Sequence, residues 1–219
     1  HADAIDISQI EGFVRQIIGW REYMRGMYWA FMPEYKNLNE LNNTNKLTEF
    51  FWTGDTKMNC LKHAITNSLD NGYAHHIQRL MVIGNFSLLT ELSPEEVQAW
   101  YLLVYADAYE WVELPNVAGM ILYSDGGNLA SKPYVASGKY LQRMGNYCSG
   151  CRFDPAQKTG PDACPFTTLY WDFLDRHAAR FAEHPRLKMQ VRNLERLDDA
   201  ERAAIRDEAN TLRTRLSGA

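Results

Sequence analysis

Cysteine is scarce in this chain, with four residues among 219. A small secreted scaffold would be denser in cysteine, and no basic–apolar–small leader opens the sequence. The thiols therefore point to a reducing, cytoplasmic setting and to a metal or cluster, with two disulfides as the competing reading. No apolar stretch reaches membrane-spanning length, so no membrane partner is expected. An excess of positive charge is missing too. The 23 Lys and Arg stand against 27 Asp and Glu, for a net charge of −4, which excludes a protein coated for indiscriminate nucleic-acid binding. Internal repeats, low-complexity runs and convincing linkers are absent. What remains is an ordinary globular composition, long enough for one sizeable helical unit. The first residue is His1 rather than Met, from which we expect that something upstream has been lost.

The chain reads almost entirely as helix. Ser8 with Glu11 forms a capping-box pattern, and Phe13, Val14, Ile17, Met24, Met27 and Tyr28 then fall on one face. Asp55 is placed to cap a second helix that runs through Cys60 to about Leu69, with Gly72 just beyond its end. A third is expected from about Ala74 to Ile83. Ser93-Pro94-Glu95-Glu96 supplies a cap, a proline at the first helical position and a glutamate three past the cap, predicting a helix through Trp100 to about Tyr109. Pro115, Gly119, Asp125-Gly126-Gly127 and Pro133 predict a long ordered loop over Leu114–Lys132. Further helices are expected near Gly138–Met144, Phe166–Phe181 and Arg186–Leu194. A last one, Asp199–Leu216, alternates charges like a solvent-facing strut. The expected fold class is all-α, with a single helical domain over 1–219.

The cysteines are not scattered. Cys148-x2-Cys151-x12-Cys164 is followed at once by Pro165, and Gly150 permits a tight wrap between the first two. Four thiolates complete the shell of a cubane cluster or of a tetrahedral zinc, and Cys60 would then staple a distant helix to the others. The Cys-Pro pair and the single remote ligand lean toward iron–sulfur, whereas zinc sites more often use two local pairs. His63, three residues after Cys60, is a substitute ligand only if it is neither packed nor solvent-facing.

Two further features stand out. Trp20 beside Arg21, Phe51-Trp52 before a glycine turn and Trp100-Tyr101 on a helix are aromatic positions that core packing accounts for, yet they also suit electron transfer or stacking. His75-His76 is followed by Arg79, which shares a helical face with His76, so a histidine proton donor could sit beside an anion-holding guanidinium. Lys132, Lys139, Arg143, Arg152 and Lys158 make a locally basic stretch with Asp154 as its one acidic member, either a solvated face or a track for a nucleic-acid backbone.

Taken together, these strings resemble the bacterial iron–sulfur photolyases and cryptochromes, a group that includes (6-4) photolyases. The carriers are Gly12–Trp29 (GFVRQIIGWREYMRGMYW), His75-His76-Ile77-Gln78-Arg79, Glu110–Met120 (EWVELPNVAGM), Ser131–Tyr140 (SKPYVASGKY) and the cysteine set. The resemblance covers nearly the whole chain. It implies a helical FAD-binding unit at about 1–145, followed by a cluster loop and C-terminal helices at about 146–219. Trp20, Arg21, Arg79, Asp107 and Glu113 would be the cofactor-binding set. Within it Arg21 approaches the flavin phosphates, Trp20 lines the lesion pocket and Asp107 hydrogen-bonds the flavin's far end. Glu113 falls where many photolyases carry an asparagine beside flavin N5, and a carboxylate there alters which redox and protonation states are favoured. His76 would donate a proton to the (6-4) lesion with His75 supporting it, and Tyr134 and Tyr140 would lie near the damaged base. Trp52, Trp100 and Tyr101 would carry electrons. Cys60, Cys148, Cys151 and Cys164 would hold a [4Fe–4S] cluster of structural role.

Departures are visible. Leu80 stands where animal-type (6-4) enzymes have a second active-site histidine, and Val117 where the usual triad has its proximal tryptophan. The implied function is light-driven repair of (6-4) photoproducts in damaged DNA, by a monomer whose lumazine-type antenna chromophore would sit on an N-terminal α/β domain outside this sequence. The alternatives are a blue-light sensor of the cryptochrome type, an iron–sulfur domain like that of a primase large subunit, and a zinc-stapled helical DNA-binding domain.

Overall fold

A computed structural model describes residues 5–216, so His1 lies outside the described residues. Regular structure among the described residues is helical. The α-helices are α1 (Ile7–Val14), α2 (Glu22–Phe31), α3 (Phe50–Thr53), α4 (Asn59–Asn71), α5 (Asn85–Leu89), α6 (Pro94–Val104), α7 (Glu110–Leu114), α8 (Gly138–Met144), α9 (Pro165–Arg176), α10 (Ala178–Phe181), α11 (Lys188–Arg192) and α12 (Asp199–Leu216). Three stretches widen to π-helix. Arg15–Arg21 joins α1 to α2, Gln78–Gly84 leads into α5, and Pro115–Ile121 continues α7. Among the described residues β pairing is limited to two isolated bridges, Asn45 with Leu92 and Asp154 with Ala163.

Several boundaries move from where local signals put them. The first capping box is Asp6 with Gln9, not Ser8 with Glu11. The Asp6 carboxylate accepts from the Ser8 N–H and hydroxyl, both at 2.9 Å, so Ser8 is spent as a donor. Asp55 does not cap α4. It lies in the turn after α3, where its N–H donates to Thr53 Oγ1 at 3.2 Å, and α4 starts beyond Met58. The helix begun at Ser93-Pro94 ends at Val104 because Ala106 N–H donates to the Gly72 carbonyl at 2.8 Å and draws the chain aside. Its Glu96 reaches out of the helix to the Leu47 N–H at 2.5 Å.

The expected loop from Leu114 is helical up to Ile121. Proline inside a helix removes one N–H and crowds the preceding turn. Here the ladder widens from Pro115 onward, and Asn116 Nδ2 donates to the Val112 carbonyl at 2.6 Å, serving an acceptor in the preceding turn.

The main core is a continuous apolar body running from Leu41 to Ala209, with Phe51, Leu61, Ile65, Ile83, Phe86, Trp100 and Phe166 among its buried members, and Met27, Tyr35, Leu114 and Ala118 form a smaller cluster beside it. Each such side chain contributes about 1.5–3 kcal/mol by leaving water. The helix α12 is not a strut. Ile205 and Ala209 are buried in that core, and Arg213 pairs with Asp172 of α9. Asp172, 1% exposed, also accepts from Arg176 at 2.8 Å, while Glu91 takes Arg176 at 2.9 Å and Arg213 at 3.0 Å. Two carboxylates and two guanidiniums thus neutralise one another in a largely buried square. The predicted apolar face of the first helices is covered only in part. Met24 and Met27 are buried, and α2 packs on α7, whereas Phe13 is 70% exposed.

Candidate functional site

All three π-helical stretches converge on one cleft of about 750 Å³. The first brings Trp20 and Arg21, the second Arg79, and the third Asn116 and Ile121, with Glu113 from α7 beside them. Wide turns of this kind re-aim side chains and often mark functional sites. The volume lies within the range of cofactor pockets.

Arg79 organises the polar wall. Its guanidinium meets the Asp107 carboxylate at 2.9 and 3.1 Å, donates through Nε to the Ala74 carbonyl at 2.8 Å, and stacks on Tyr105 at 3.9 Å. Those contacts fix its plane, which lysine could not reproduce. The Arg79 carbonyl accepts from the Tyr101 hydroxyl at 2.6 Å. Burial pushes the Glu113 carboxyl up to about 7; Arg79 opposes that rise and Asp107 adds to it. Burial, His75 and Arg79 together lower the His76 pKa.

Of the expected residues, Trp20, Arg21, Arg79, Asp107, Glu113, His76 and Tyr101 line this cleft. His75 does not; its Nδ1 accepts from the Ile77 N–H at 3.1 Å and its N–H donates to Gln78 at 3.1 Å. Trp100 is fully buried, edge-on to Phe51 at 5.4 Å and to Tyr101 at 5.4 Å, while Trp52 on α3 is half exposed. Tyr134 and Tyr140 are not among the residues lining this cleft; both are partly buried against the main core, and Arg143 lies over the Tyr140 ring at 5.9 Å. Sequence reading missed Tyr73, Tyr109, Trp111 and Asn116. Tyr109 lies two residues after Asp107 and Asn116 three after Glu113, but neither spacing distinguishes a lining residue from a packed one.

The four cysteines do come together. Cys60, Cys148, Cys151 and Cys164 line one small apolar cavity closed by Met58, Leu141 and Phe166. Gly150 takes φ +79°, the turn that lets Cys148 and Cys151 face the same way. Gly138 has to be glycine, since a Cβ there would stand 2.6 Å from Cys164 Sγ. Burial and the neighbouring thiols push Cys60 above its ordinary value, and burial raises Cys164 to about 11. Among the described residues no group of three or more His, Cys, Asp and Glu is arranged to hold a single metal ion. His63 is exposed and lies on the Tyr147 ring at 6.2 Å. Tyr147 also ties the two sites, because Gln78 Nε2 donates to its hydroxyl at 3.1 Å and Asn59 Nδ2 to its carbonyl at 2.7 Å.

The basic stretch is partly spoken for. Lys158 pairs with Glu201 at 2.6 Å and Arg152 with Asp162 at 3.7 Å, while Lys139 and Arg143 are exposed.

An all-helical fold with a cofactor-sized cleft and a separate four-thiol centre is thereby defined. No family model matches the chain. It is 51% identical over 209 residues to a (6-4) photolyase of Agrobacterium fabrum, a match covering 95% of this chain and 41% of that protein. A shorter match, 32% identical over 101 residues, takes in 46% of the chain and 75% of an uncharacterized protein of Acanthamoeba polyphaga mimivirus. The similarity to this bacterial (6-4) photolyase runs over nearly the whole chain and supports a place in the (6-4) photolyase-like family. It spans well under half the length of its photolyase relative. No helix among the described residues is long and apolar enough to cross a membrane.

Proposed function

We propose that the protein containing this chain uses light to repair (6-4) photoproducts in DNA, with FAD seated in the cleft. One observation supports this most: residues from Trp20 to Ile121, spread over half the chain, line a single cleft around the Arg79–Asp107 pair. The chain is moreover 51% identical to a protein named (6-4) photolyase. The cleft suits the cofactor in its chemistry. Its volume is sufficient, aromatic rings offer stacking, and Glu113, with its pKa near 7, can either donate or accept a hydrogen bond. When bound, FAD supplies a photoexcitable electron donor.

The chain's own residues do the rest. Arg79 orients Asp107 toward the flavin's far end, and Arg21 faces the phosphates. A damaged nucleotide flipped from the duplex enters past Trp20, because its bonds cannot be reached inside the stack. His76, neutral in the free cleft, gains its proton when a phosphate settles beside it and Arg79, and passes it to the lesion. His75 and Gln78 hold that turn. Trp52, Trp100 and Tyr101 carry electrons inward from solvent, and Tyr134 and Tyr140 flank the damaged base. Lys132, Lys139 and Arg143 follow the DNA backbone.

In the same reading, the two halves at about 1–145 and 146–219 are a flavin-binding core and a cluster-bearing cap of one helical domain. The protein is cytoplasmic and monomeric, and its antenna pigment sits on other parts of the polypeptide. The four cysteines would hold a [4Fe–4S] cluster. What supports this is that the four thiols line one small cavity, where a cubane would take one thiolate on each iron. The cluster would staple α4 to the start of α9.

The test is blue-light illumination of the complete protein with a duplex carrying one (6-4) lesion, followed by chromatography of the digested DNA. Light-dependent restoration of the two pyrimidines is expected, with none in the dark. FAD-loaded protein that leaves the lesion intact would sink the repair reading and favour a sensor.

A further inference from the structure

Glu113 is a shared wall. It lines the cleft described above and also a second cavity of about 370 Å³. The helix α7 separates the two, turning Trp111 and Val112 to the cleft and Glu110 and Leu114 to the second cavity. Among the described residues, Glu113 is the one side chain common to both linings. Lys36, Asn37, Glu95, Gln98 and Glu110 join Glu113 around the second cavity, giving it a polar wall opposite Leu102 and Leu114. At about 30 Å³ per molecule it has room for several waters. Gln98 Nε2 is sealed from bulk solvent and has no hydrogen-bond partner, so this wall carries a donor that calls for an acceptor. Glu110 accepts from the Tyr28 hydroxyl at 3.1 Å, which ties α2 to the same rim.

We infer that Glu113 is a proton gate, passing protons from water in this vestibule to the cleft on the opposite face of α7. The inference rests on the light-driven, FAD-dependent reading above. Each electron placed in the cleft adds a negative charge to a poorly solvated site, and a proton must follow to cancel it. A proton from bulk water enters the vestibule and protonates the Glu113 carboxylate, the carboxyl releases a proton into the cleft, and the carboxylate is restored. The electron comes from a soluble thiol reductant under illumination. Glu113 suits the task because burial brings its pKa close to neutral, so both protonation states are populated. The groups facing it pull in opposite directions. Arg79 favours the carboxylate and Asp107 the carboxyl, with Tyr101 and Tyr105 on the adjoining elements and Glu110, Glu95 and Lys36 on the vestibule side. The cleft itself will be filled by cofactor and DNA during turnover, which leaves the vestibule as the open aqueous side.

The test uses the complete FAD-loaded protein in weakly buffered solution with excess thiol and a pH-indicator dye, triggered by a blue flash. Two variants close the vestibule without touching the cleft. Ala99→Phe fills it from an exposed position, and Gln98→Leu makes its wall apolar. Both should slow proton uptake at least about tenfold, while the flash-induced absorbance change of the flavin keeps its wild-type rate. Glu113→Gln should slow uptake as much. Wild-type uptake in Ala99→Phe and Gln98→Leu, with FAD bound, would overturn the gate and leave the photochemical reading intact. A complete protein that binds no FAD, visible in the absorption spectrum before any flash, would overturn both.

Discussion

Replacing Glu113 by Gln should raise the protein's stability relative to wild type progressively as pH climbs from acid to base. The carboxyl rises from 4.5 to about 7 on folding because the native cleft strips water from it. Between those values the folded state binds more protons than the unfolded state, so unfolding free energy falls as pH rises. The sign follows directly. Stability associated with the neutral carboxyl is fully present below pH 4.5 and is lost as pH climbs through 7. The size of the rise corresponds to about 3 kcal/mol. Glutamine carries no ionisable group, so the gap between variant and wild type should open by about that amount from pH 5 to pH 8. Any constant cost of placing an amide in the cleft shifts the gap without tilting it. His177, whose pKa burial lowers to about 4, and His76 titrate equally in both proteins and cancel. The assay is paired urea unfolding of wild type and Glu113→Gln at four pH values. A gap that stays flat, or that opens toward acid, would refute the desolvated carboxyl.

Three further outcomes are expected. His76→Ala should abolish (6-4) repair while leaving flavin bound; repair at the wild-type rate in that variant would remove its proton-donor role. Cys151→Ala should lose iron, sulfide and solubility together, measured by elemental assay of the purified protein, whereas a well-folded, iron-free variant would point to a dispensable centre. Asp172→Ala leaves Arg213, 9% exposed at its side chain, with Glu91 as its remaining carboxylate partner. It should cost about 3 kcal/mol in urea unfolding, and a loss below about 1 kcal/mol would contradict the buried square.

Helix content was legible because it is a local property. The alternating charges over Asp199–Leu216, the Ser93-Pro94 start and the Gly72 stop each depend on residues a turn or two apart, and each stands where expected. Local signals failed where another group, near or distant in the chain, competed for the same atoms. Asp6 outcompeted the Glu11 pairing at Ser8, the Gly72 carbonyl ended α6 early, and a widened ladder carried the chain through Pro115. Chemistry-bearing residues were legible by type and family resemblance, and seven of them do meet in one cleft.

By itself, then, the sequence determined the all-helical class, the residue types available for flavin, lesion and cluster chemistry, and the grouping of the last three cysteines. Those are matters of periodicity and short spacing. Only the tertiary structure decided that Cys60 reaches the other three, that α12 locks onto α9 through Asp172 and Arg213, and that Glu113 borders two cavities at once. The physical reason is common to all three. Burial, charge pairing and water access depend on which elements pack together across the core, and no local stretch of chain encodes that packing alone.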